Sequence, residues 1–322
     1  MKKILFINGQ SQNVADIFTG MMPEGGGYET ACVPASLDDA EKIKALEGVE
    51  YLVLHPATLS GDVLRQAKSL RLVQLLTAGY DKVDIGAAAE CGIPVATNGG
   101  ANAWAVAEHA VTLILAIYKK LLACDASVRA GTWRKPVNGF NTFELAGKTV
   151  GIIGAGNIGK KVATRLKAFE TEIVYHDARP ATEIETALGA RKVSVEELVR
   201  VADVITLHAP LLESTRGMIG AKEFAAMKKS AILINTSRAE LVDEDALVAA
   251  LREGEIGAAG LDVYPKEPIP AGHPLLGLEN VILTPHTAGH SYEGWFRRSR
   301  TAWSNIAKLS AGEKADFVVN GV

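Results

Sequence analysis

This chain of 322 residues has few cysteines and no large excess of either basic or acidic residues. Its three cysteines, Cys32, Cys91 and Cys124, lie far apart and form no CxxC pair. This pattern argues against a disulfide framework and a structural zinc site, and it is typical of the reducing cytoplasm. The 34 basic and 37 acidic residues are interspersed and leave a formal net charge of −3. Because no basic block is large enough to follow a phosphate backbone, we expect no nucleic-acid partner.

Long hydrophobic runs are missing as well. The most apolar stretch, residues 110–122, contains Lys119 and Lys120. The apolar run at the start of the chain ends at residue 7. The first stretch is too short and too charged to span a bilayer, and the second is too short for the apolar core of a signal peptide. We therefore expect no membrane association, and we interpret the second run as a buried first strand.

What the chain does have is a regular alternation of short apolar runs with amphipathic helical patterns. Such alternation predicts an α/β protein with parallel sheets, and 322 residues are enough for two domains. One series of strands precedes a helix predicted over residues 102–122, and a second series follows from residue 148. The predicted fold is therefore α/β with two doubly wound parallel-sheet domains. Strands are predicted at residues 4–7, 30–33, 51–54, 72–75, 94–97, 149–153, 172–176, 204–207, 231–235, 258–263 and 281–284, and a final helix at 292–310.

A dinucleotide-binding turn is predicted where the GxGxxG spacing occurs, at Gly154, Gly156 and Gly159. Alone this pattern is weak, since with 31 glycines roughly 0.3 chance matches are expected in a chain of this length. Here, however, it follows the strand predicted at 149–153 and opens an amphipathic helix at 160–169. The unpaired amides at a helix N-terminus favour a pyrophosphate, so we predict a nucleotide site.

An acidic residue, Asp177, ends the next predicted strand, 18 positions after Gly159 (177 − 159). A carboxylate there accepts hydrogen bonds from a ribose 2′-hydroxyl and repels a 2′-phosphate, which favours NAD over NADP. Arg179, two positions later, is a nearby residue that suits a phosphate instead. The predicted cofactor is NAD.

Three residues that suit the reduction of a carbonyl follow three predicted strands, where open α/β sheets bind their ligands. His286 follows the last strand, and a histidine is the usual proton donor to a carbonyl that becomes an alcohol. Glu267 follows the preceding strand and is the candidate to orient that histidine. Arg238 follows the strand before that, and its planar guanidinium can hold a carboxylate with two hydrogen bonds. The pattern predicts an active site for an anionic carbonyl substrate.

With these residues in place, the chain resembles the D-isomer-specific 2-hydroxyacid dehydrogenases over nearly its whole length. The resemblance implies a Rossmann coenzyme domain, residues 101–287, inserted into a flavodoxin-like substrate domain, residues 1–100 and 288–322. It also implies a homodimer formed through the long helix and the arm at residues 123–147. The segments that carry the resemblance are Val150 to Gly159, Ala202 to Pro210, Leu233 to Arg238, Gly260 to Pro268 and Thr284 to His286.

The resemblance further implies roles for individual residues. Arg238, Glu267 and His286 are implied to be the catalytic set, with Arg238 and His286 also in contact with the substrate. The backbone of Ala78 and Gly79 is implied to hold the substrate carboxylate. These roles predict an NAD-dependent enzyme that interconverts a small 2-oxo acid and its D-2-hydroxy acid.

Cofactor contacts are implied for a larger set. Asp262 would contact the nicotinamide carboxamide, and the loop that begins at His208 would lie near the adenosine. Small residues after His286 would let the cofactor approach. The expected cofactor-binding residues are Gly154, Gly156, Asn157, Ile158, Gly159, Asp177, His208, Ala209, Pro210, Thr215, Thr236, Ser237, Asp262, Ala288 and Gly289.

Two departures from the family pattern bear on the substrate. The small glycine pair that usually follows the catalytic arginine is Ala239 and Glu240 here. The positions that align with the phosphate-binding arginines of phosphoglycerate dehydrogenases are His55 and Leu75. Without those cations a phosphorylated substrate loses its main anchor, which disfavours phosphoglycerate dehydrogenase-type activity. That activity is nevertheless kept as the alternative.

Other functions of the same fold stay open. Formate oxidation needs no general acid–base pair, and phosphite oxidation is disfavoured because Thr77 and Ala78 offer no lysine for the dianion. A non-catalytic NAD-sensing interaction protein would retain the same three residues, although this chain lacks the disordered tails that recruit partners.

Two further histidine patterns are given structural interpretations. His286 and His290 are four positions apart, like zinc ligands on a helix, but the glutamate of an HExxH motif is missing, so no metal is predicted. His109, beside Glu108 in the long helix, is interpreted as part of a packed or interface polar pair.

Overall fold

The computed structural model describes residues 1–137, 139 and 141–322. The chain divides into two compact units, the first made of residues 1–102 and 290–322 and the second of residues 103–289. Each unit is built on one sheet in which every pair of neighbouring strands is parallel. The predicted α/β fold with two doubly wound parallel sheets is therefore confirmed.

The described residues form twelve strands and twelve α-helices. The strands are β1 (Lys2–Asn8), β2 (Tyr28–Pro34), β3 (Tyr51–His55), β4 (Leu72–Leu75), β5 (Val95–Ala96), β6 (Thr149–Ile153), β7 (Glu172–His176), β8 (Arg191–Lys192), β9 (Val204–Leu207), β10 (Ile232–Asn235), β11 (Ala258–Leu261) and β12 (Val281–Leu283). The helices are α1 (Gln12–Gly20), α2 (Asp39–Ala45), α3 (Gly61–Gln66), α4 (Ile85–Glu90), α5 (Ala103–Tyr118), α6 (Leu121–Arg129), α7 (Asn157–Lys167), α8 (Thr182–Leu188), α9 (Val195–Val201), α10 (Ala221–Ala226), α11 (Glu244–Glu253) and α12 (Tyr292–Ser310).

The sheet of the first unit has the strand order β2-β1-β3-β4-β5, which is the flavodoxin-like order. β3 and β4 are buried along their whole length because both faces of a parallel sheet are covered. α12 closes one face, where Trp303 stacks on Phe18 with ring centroids 4.7 Å apart. Val318 then forms an antiparallel bridge with Ala96 of β5. Residues 290–322 thus complete a sheet that the first 102 residues begin.

The sheet of the second unit has the order β12-β11-β10-β9-β6-β7-β8. The order reverses between β6 and β9, and in such sheets ligands bind outside the carboxyl ends of the strands at this point. Apolar side chains on both faces of the sheet are buried, which explains why these strands are nearly continuous apolar runs in the sequence. The fold therefore directs the turn after β6 and the loops after β9 to β12 to one edge.

The single helix predicted over residues 102–122 is wrong. α5 ends at Tyr118, and Lys120 adopts the left-handed conformation with φ of +50° before α6 begins. Leu121 and Leu122 resume the apolar pattern directly after the break, and the lysines at 119 and 120 are good helix formers, so the composition does not reveal where α5 ends. By contrast, the observed strands at 149–153, 172–176 and 204–207 and the final helix at 292–310 have the bounds that the sequence predicts.

The helices and the clusters of potential metal ligands bear on the partners of the protein. No helix among residues 1–137, 139 and 141–322 is both long and apolar enough to cross a membrane. Across the same residues, no group of three or more His, Cys, Asp or Glu side chains is arranged to hold a metal ion.

Candidate active site

The glycine turn predicted after β6 is present. Gly154 has a φ of +92°, and a Cβ there would lie 2.5 Å from the amide nitrogen of Ala209, so the position requires glycine. At Gly159, in the first turn of α7, a Cβ would lie 2.0 Å from the carbonyl oxygen of Gly154. Both glycines are required because backbone approaches backbone at these points.

The N-terminus of α7 is suited to an anion. Its N-cap, Gly156, offers no side chain to cap the helix, and apart from its chain neighbours no described residue has an atom within 4 Å of the position a Cβ would take. The first amides of a helix have no partner within it, so those of Asn157 and Ile158 can bind an anion that the helix dipole also attracts. These residues fit the pyrophosphate of a dinucleotide.

Asp177 follows β7 and reaches the glycine turn. Its Oδ2 accepts a hydrogen bond from the amide of Ala155 at 2.8 Å, and its Oδ1 accepts from the amide of Arg179 at 2.9 Å. Each carboxylate oxygen has a second lone pair, so this half-exposed group can also accept from ribose hydroxyls. A 2′-phosphate would meet its negative charge, in agreement with NAD as the cofactor.

The loop after β9 carries three more of the expected cofactor residues. Ala209 is buried against the glycine turn, whereas Pro210 is exposed. The hydroxyl of Thr215 donates to the carbonyl of Pro210 at 2.7 Å and accepts from the amide of Leu212 at 2.8 Å. Thr215 therefore shapes this loop through contacts within it.

His208, at the start of the same loop, is a partly buried histidine whose ring Nδ1 is enclosed. Its Nε2 lies 2.8 Å from the hydroxyl of Thr206, and its Nδ1 is buried and makes no hydrogen bond to the described part of the chain. Burial lowers the pKa of His208 from its ordinary value to about 3, because the charged imidazolium would lose its hydration. The ring is neutral throughout the physiological range.

This depressed pKa predicts a pH dependence of stability. Unfolded His208 takes up a proton below about pH 6.5 whereas folded His208 does so only near pH 3, so the unfolded state gains protons as the pH falls. The free energy of unfolding should therefore lose up to about 1.4 kcal/mol per pH unit from this group below pH 6.5, and nothing above it. Urea titrations of His208→Gln at pH 7, 6 and 5 should show a shallower decline than the wild type. His176→Gln replaces a second histidine of the same sheet, one whose Nδ1 has a backbone carbonyl partner at 3.1 Å, and is the control. An unchanged slope in His208→Gln would contradict the prediction.

The segment after β10 is held by the Asn235 side chain. Its Oδ1 accepts from the amide and the hydroxyl of Ser237 at 3.1 and 3.0 Å, and its Nδ2 donates to the carbonyl of Arg238 at 2.8 Å. Thr236 between them is buried, and its hydroxyl makes no hydrogen bond within the described ranges, a position that suits a polar group of a ligand. Directly after Arg238, residues 239–241, which include Ala239 and Glu240, form a 3-10 turn.

The three candidate catalytic residues follow three adjacent strands. β10, β11 and β12 pair in register, and Arg238, Glu267 and His286 come three, six and three residues after the last paired position of each strand (238 − 235, 267 − 261 and 286 − 283). Because the carboxyl ends of parallel strands share one edge, all three side chains belong to the same edge of the second unit. Sequence spacing alone indicates this arrangement.

Glu267 and His286 are in direct contact. The Nδ1 of His286 lies 2.9 and 2.8 Å from the two carboxylate oxygens of Glu267, and the amide of Tyr264 donates to Glu267 Oε1 at 3.2 Å. A carboxylate can only accept, so Nδ1 carries the hydrogen and Nε2 is directed away from Glu267. His286 has a φ of +55°, a conformation that costs a non-glycine residue about 1–3 kcal/mol and is concentrated at functional sites.

Asp262 has a role that the sequence does not indicate. Its side chain is fully buried, and it accepts hydrogen bonds from the hydroxyl of Thr284 at 2.6 Å and from the amides of Thr287 and Ala288 at 2.9 and 2.8 Å. The carboxylate therefore fixes the segment of residues 284–288. No sequence motif shows this, because the acceptor and its donors meet only after β11 and β12 pair.

The remaining expected residues are placed as follows. Ala288 is buried and Gly289 is half-buried, directly after the fixed segment. Ala78 and Gly79 lie in the first unit, in the loop after β4, where the hydroxyl of Thr77 donates to the carbonyl of Gly79 at 2.7 Å. Ala78 is exposed, so the backbone of this loop is accessible to a small anion.

Comparison with known proteins adds a second kind of observation. A family model described as "D-isomer specific 2-hydroxyacid dehydrogenase, NAD binding domain" matches residues 111–288. A glyoxylate reductase of Aeropyrum pernix is 40% identical over 282 residues, which cover 86% of this chain and 84% of that protein. A D-3-phosphoglycerate dehydrogenase of Methanocaldococcus jannaschii is 38% identical over 302 residues, which cover 93% of this chain but 56% of that protein.

A solved structure is similar over nearly the whole chain. The crystal structure of D-lactate dehydrogenase with NAD+ from Lactobacillus jensenii has a TM-score of 0.82 at 30% identity, and the match covers 98% of this chain and 99% of that chain. The similarity in sequence and in fold therefore includes residues of both units.

Proposed function

Because the chain belongs to the D-isomer-specific 2-hydroxyacid dehydrogenase family and is an NAD-dependent oxidoreductase, we propose that it interconverts a small 2-oxo acid and its D-2-hydroxy acid. The observation that carries the proposal is the contact of His286 with Glu267, at 2.8 Å, beyond the carboxyl ends of β11 and β12. Such a pair is a proton donor and acceptor, which reduction of a carbonyl requires.

Residues of the second unit bind the substrate and transfer the proton in the proposed reaction. NADH, when bound, supplies the hydride that adds to the carbonyl carbon. The guanidinium of Arg238 binds the substrate carboxylate and polarises the carbonyl. The Nε2 of His286 donates a proton to the carbonyl oxygen, and the carboxylate of Glu267 orients the ring by accepting from its Nδ1. In the reverse direction Nε2 takes the proton from the hydroxyl group.

The proposal extends to the roles of the two parts of the chain. We assign residues 1–100 and 288–322 to the substrate domain and 101–287 to the coenzyme domain, which agrees with the match of an NAD-binding family model to residues 111–288. The loop with Ala78 and Gly79 would supply backbone amides for the carboxylate. The free state of all three cysteines supports a reducing compartment, which we propose to be the cytoplasm.

A homodimer is part of the proposal. Apolar side chains are largely exposed on α6 and in the following arm, and a surface of this kind is typical of a protein–protein interface. Residues 138 and 140 of the arm lie outside the described residues. The exposed side chains are Leu121, Leu122, Val128, Trp133 and Phe143.

The substrate is expected to be small and unphosphorylated. An arginine, Arg298, does lie against His55, with Nη1 3.3 Å from His55 Nε2 and Cζ 4.4 Å from the ring centre of Trp295. However, Arg298 is only 3% exposed and His55 only 4%. Because this guanidinium is buried, we do not expect it to replace the phosphate-binding arginines of phosphoglycerate dehydrogenases.

A panel of substrates tests the proposed function. We expect NADH oxidation with glyoxylate, pyruvate or hydroxypyruvate well above background, and kcat/KM with NADPH lower by about 10-fold or more, because Asp177 repels the 2′-phosphate. Formate, phosphite and 3-phosphoglycerate, each assayed with NAD+, should give no comparable rate. Turnover with formate or phosphite alone would contradict the proposal, and absence of turnover with every compound would favour an NAD-sensing protein.

A further inference from the structure

A histidine outside the proposed catalytic set lies directly behind the segment that carries His286. His109, on α5, has its Nε2 3.0 Å from the hydroxyl oxygen of Thr284 and 3.7 Å from Oδ1 of Asp262. Its neighbour Glu108 forms a surface ion pair with Arg165 at 2.9 Å instead. The two adjacent polar residues of α5 therefore have separate partners and separate surroundings.

The direction of the hydrogen bonds in this cluster follows from a count of hydrogens. The hydroxyl of Thr284 has one hydrogen, and its distance to Asp262 Oδ1, 2.6 Å, is much shorter than its 3.5 Å distance to the carbonyl of Leu261. Thr284 therefore donates to the carboxylate and accepts from His109, whose Nε2 must carry a hydrogen. Both the neutral Nε2–H tautomer and the imidazolium satisfy this contact.

The hydrogen bonds that begin at His109 continue to the backbone around His286. Asp262, which receives the hydroxyl hydrogen of Thr284, also accepts from the amides of Thr287 and Ala288. The hydroxyl of Tyr264 lies 3.0 Å from the carbonyl of Thr284 and restrains the same end of the segment. His286, in the left-handed conformation, lies between these fixed points.

We propose that His109 is a positioning residue for the reaction. By donating to Thr284 it keeps that hydroxyl directed at Asp262, and the buried carboxylate then holds residues 284–288 so that His286 faces the substrate. The inference rests on the proposed function of His286 as proton donor. It assigns to His109 a role that its place in an apolar helix does not indicate.

Three variants of α5 test the proposal. His109→Phe fills the space without a donor, His109→Gln keeps an N–H donor, and Glu108→Gln is the matched control because it removes the adjacent surface ion pair. We expect His109→Phe to lower kcat by about 10- to 100-fold, since small misplacements of a catalytic group have effects of this size. His109→Gln should regain most of the rate, and Glu108→Gln should match the wild type.

Amide hydrogen exchange of the cofactor-free protein gives a readout that does not depend on activity. The amides of Thr287 and Ala288 should exchange at least about 10-fold faster in His109→Phe than in the wild type, because their acceptor is less well held. If His109→Phe fails to fold, Thr284→Val breaks the same connection from the other side, with Thr284→Ser as its control.

Each outcome decides the proposal. Faster exchange with lowered kcat and rescue by His109→Gln supports it. Unchanged kcat, unchanged exchange, or a glutamine variant as impaired as the phenylalanine variant would each overturn it. If the wild type reduced no 2-oxo acid, the proposed function would fall, and unchanged exchange in His109→Phe would separately overturn the hold on residues 284–288.

Discussion

His286→Asn is expected to lower kcat by about 10²- to 10⁴-fold, the usual contribution of a general acid–base group. Asparagine is the appropriate replacement because it tolerates the φ of +55° found at this position, whereas alanine would add backbone strain to the loss of the imidazole. The variant should bind NADH with an unchanged Kd, measured by fluorescence titration, because the glycine turn and Asp177 are unaffected.

A matched control is available in the same unit. His273 also forms a histidine–glutamate pair, with Nε2 3.0 Å from Oε1 of Glu244, but it lies at a 3-10 turn between β11 and β12. His273→Asn should leave kcat within about twofold of the wild type, since only the group at the reacting atoms contributes a general acid. Near-normal turnover in His286→Asn would refute the assignment of the proton donor.

Arg238→Ala is expected to lower kcat and to raise the KM for the 2-oxo acid together, so that kcat/KM falls by about 10²- to 10³-fold. Loss of one partner of a desolvated charge pair costs about 2–5 kcal/mol, which corresponds to an effect of this order. Arg238→Lys should recover part of the loss, because lysine keeps the charge but not the two-pronged geometry. Steady-state kinetics at saturating NADH measure both constants.

The specificity of this effect can be checked in the same assay. The KM for NADH should change little, because Arg238 binds the substrate carboxylate in the proposed reaction. Added guanidinium ion should restore part of the activity of Arg238→Ala and have no such effect on the wild type. A KM for the 2-oxo acid that remains normal in Arg238→Ala would show that another cation binds the carboxylate.

Much of the fold and of the candidate site follows from periodicity. Strands buried on both faces are apolar runs of four or five residues, so β6, β7 and β9 can be located from the sequence to the residue. The glycine spacing identifies the turn after β6, and the positions of Arg238 and His286 just after predicted strands indicate a shared edge. Each of these features depends on a short stretch of sequence, so a local pattern predicts it.

The features that escaped prediction depend on contacts between distant segments. The break at Lys120 is a left-handed backbone conformation, and the two lysines at 119 and 120 do not indicate it because lysine is a good helix former. The cluster of His109, Asp262 and Thr284 joins residues separated by up to 175 positions. His109 and Asp262 come within 3.7 Å of each other only when α5 packs beside β11, so neither the interpretation of His109 as a packed polar residue nor the expected cofactor contact of Asp262 indicates this cluster.

The discontinuous first unit has a consequence for synthesis of the chain on the ribosome. Its first 102 residues emerge before α12, so Phe18 has no Trp303 to cover it until α12 has been synthesised. The 187 intervening residues (289 − 103 + 1) take about 10–40 s at typical elongation rates of 5–20 residues per second. The uninterrupted second unit is complete before the first, and nascent chains carry an open apolar sheet face that a chaperone can recognise during this interval.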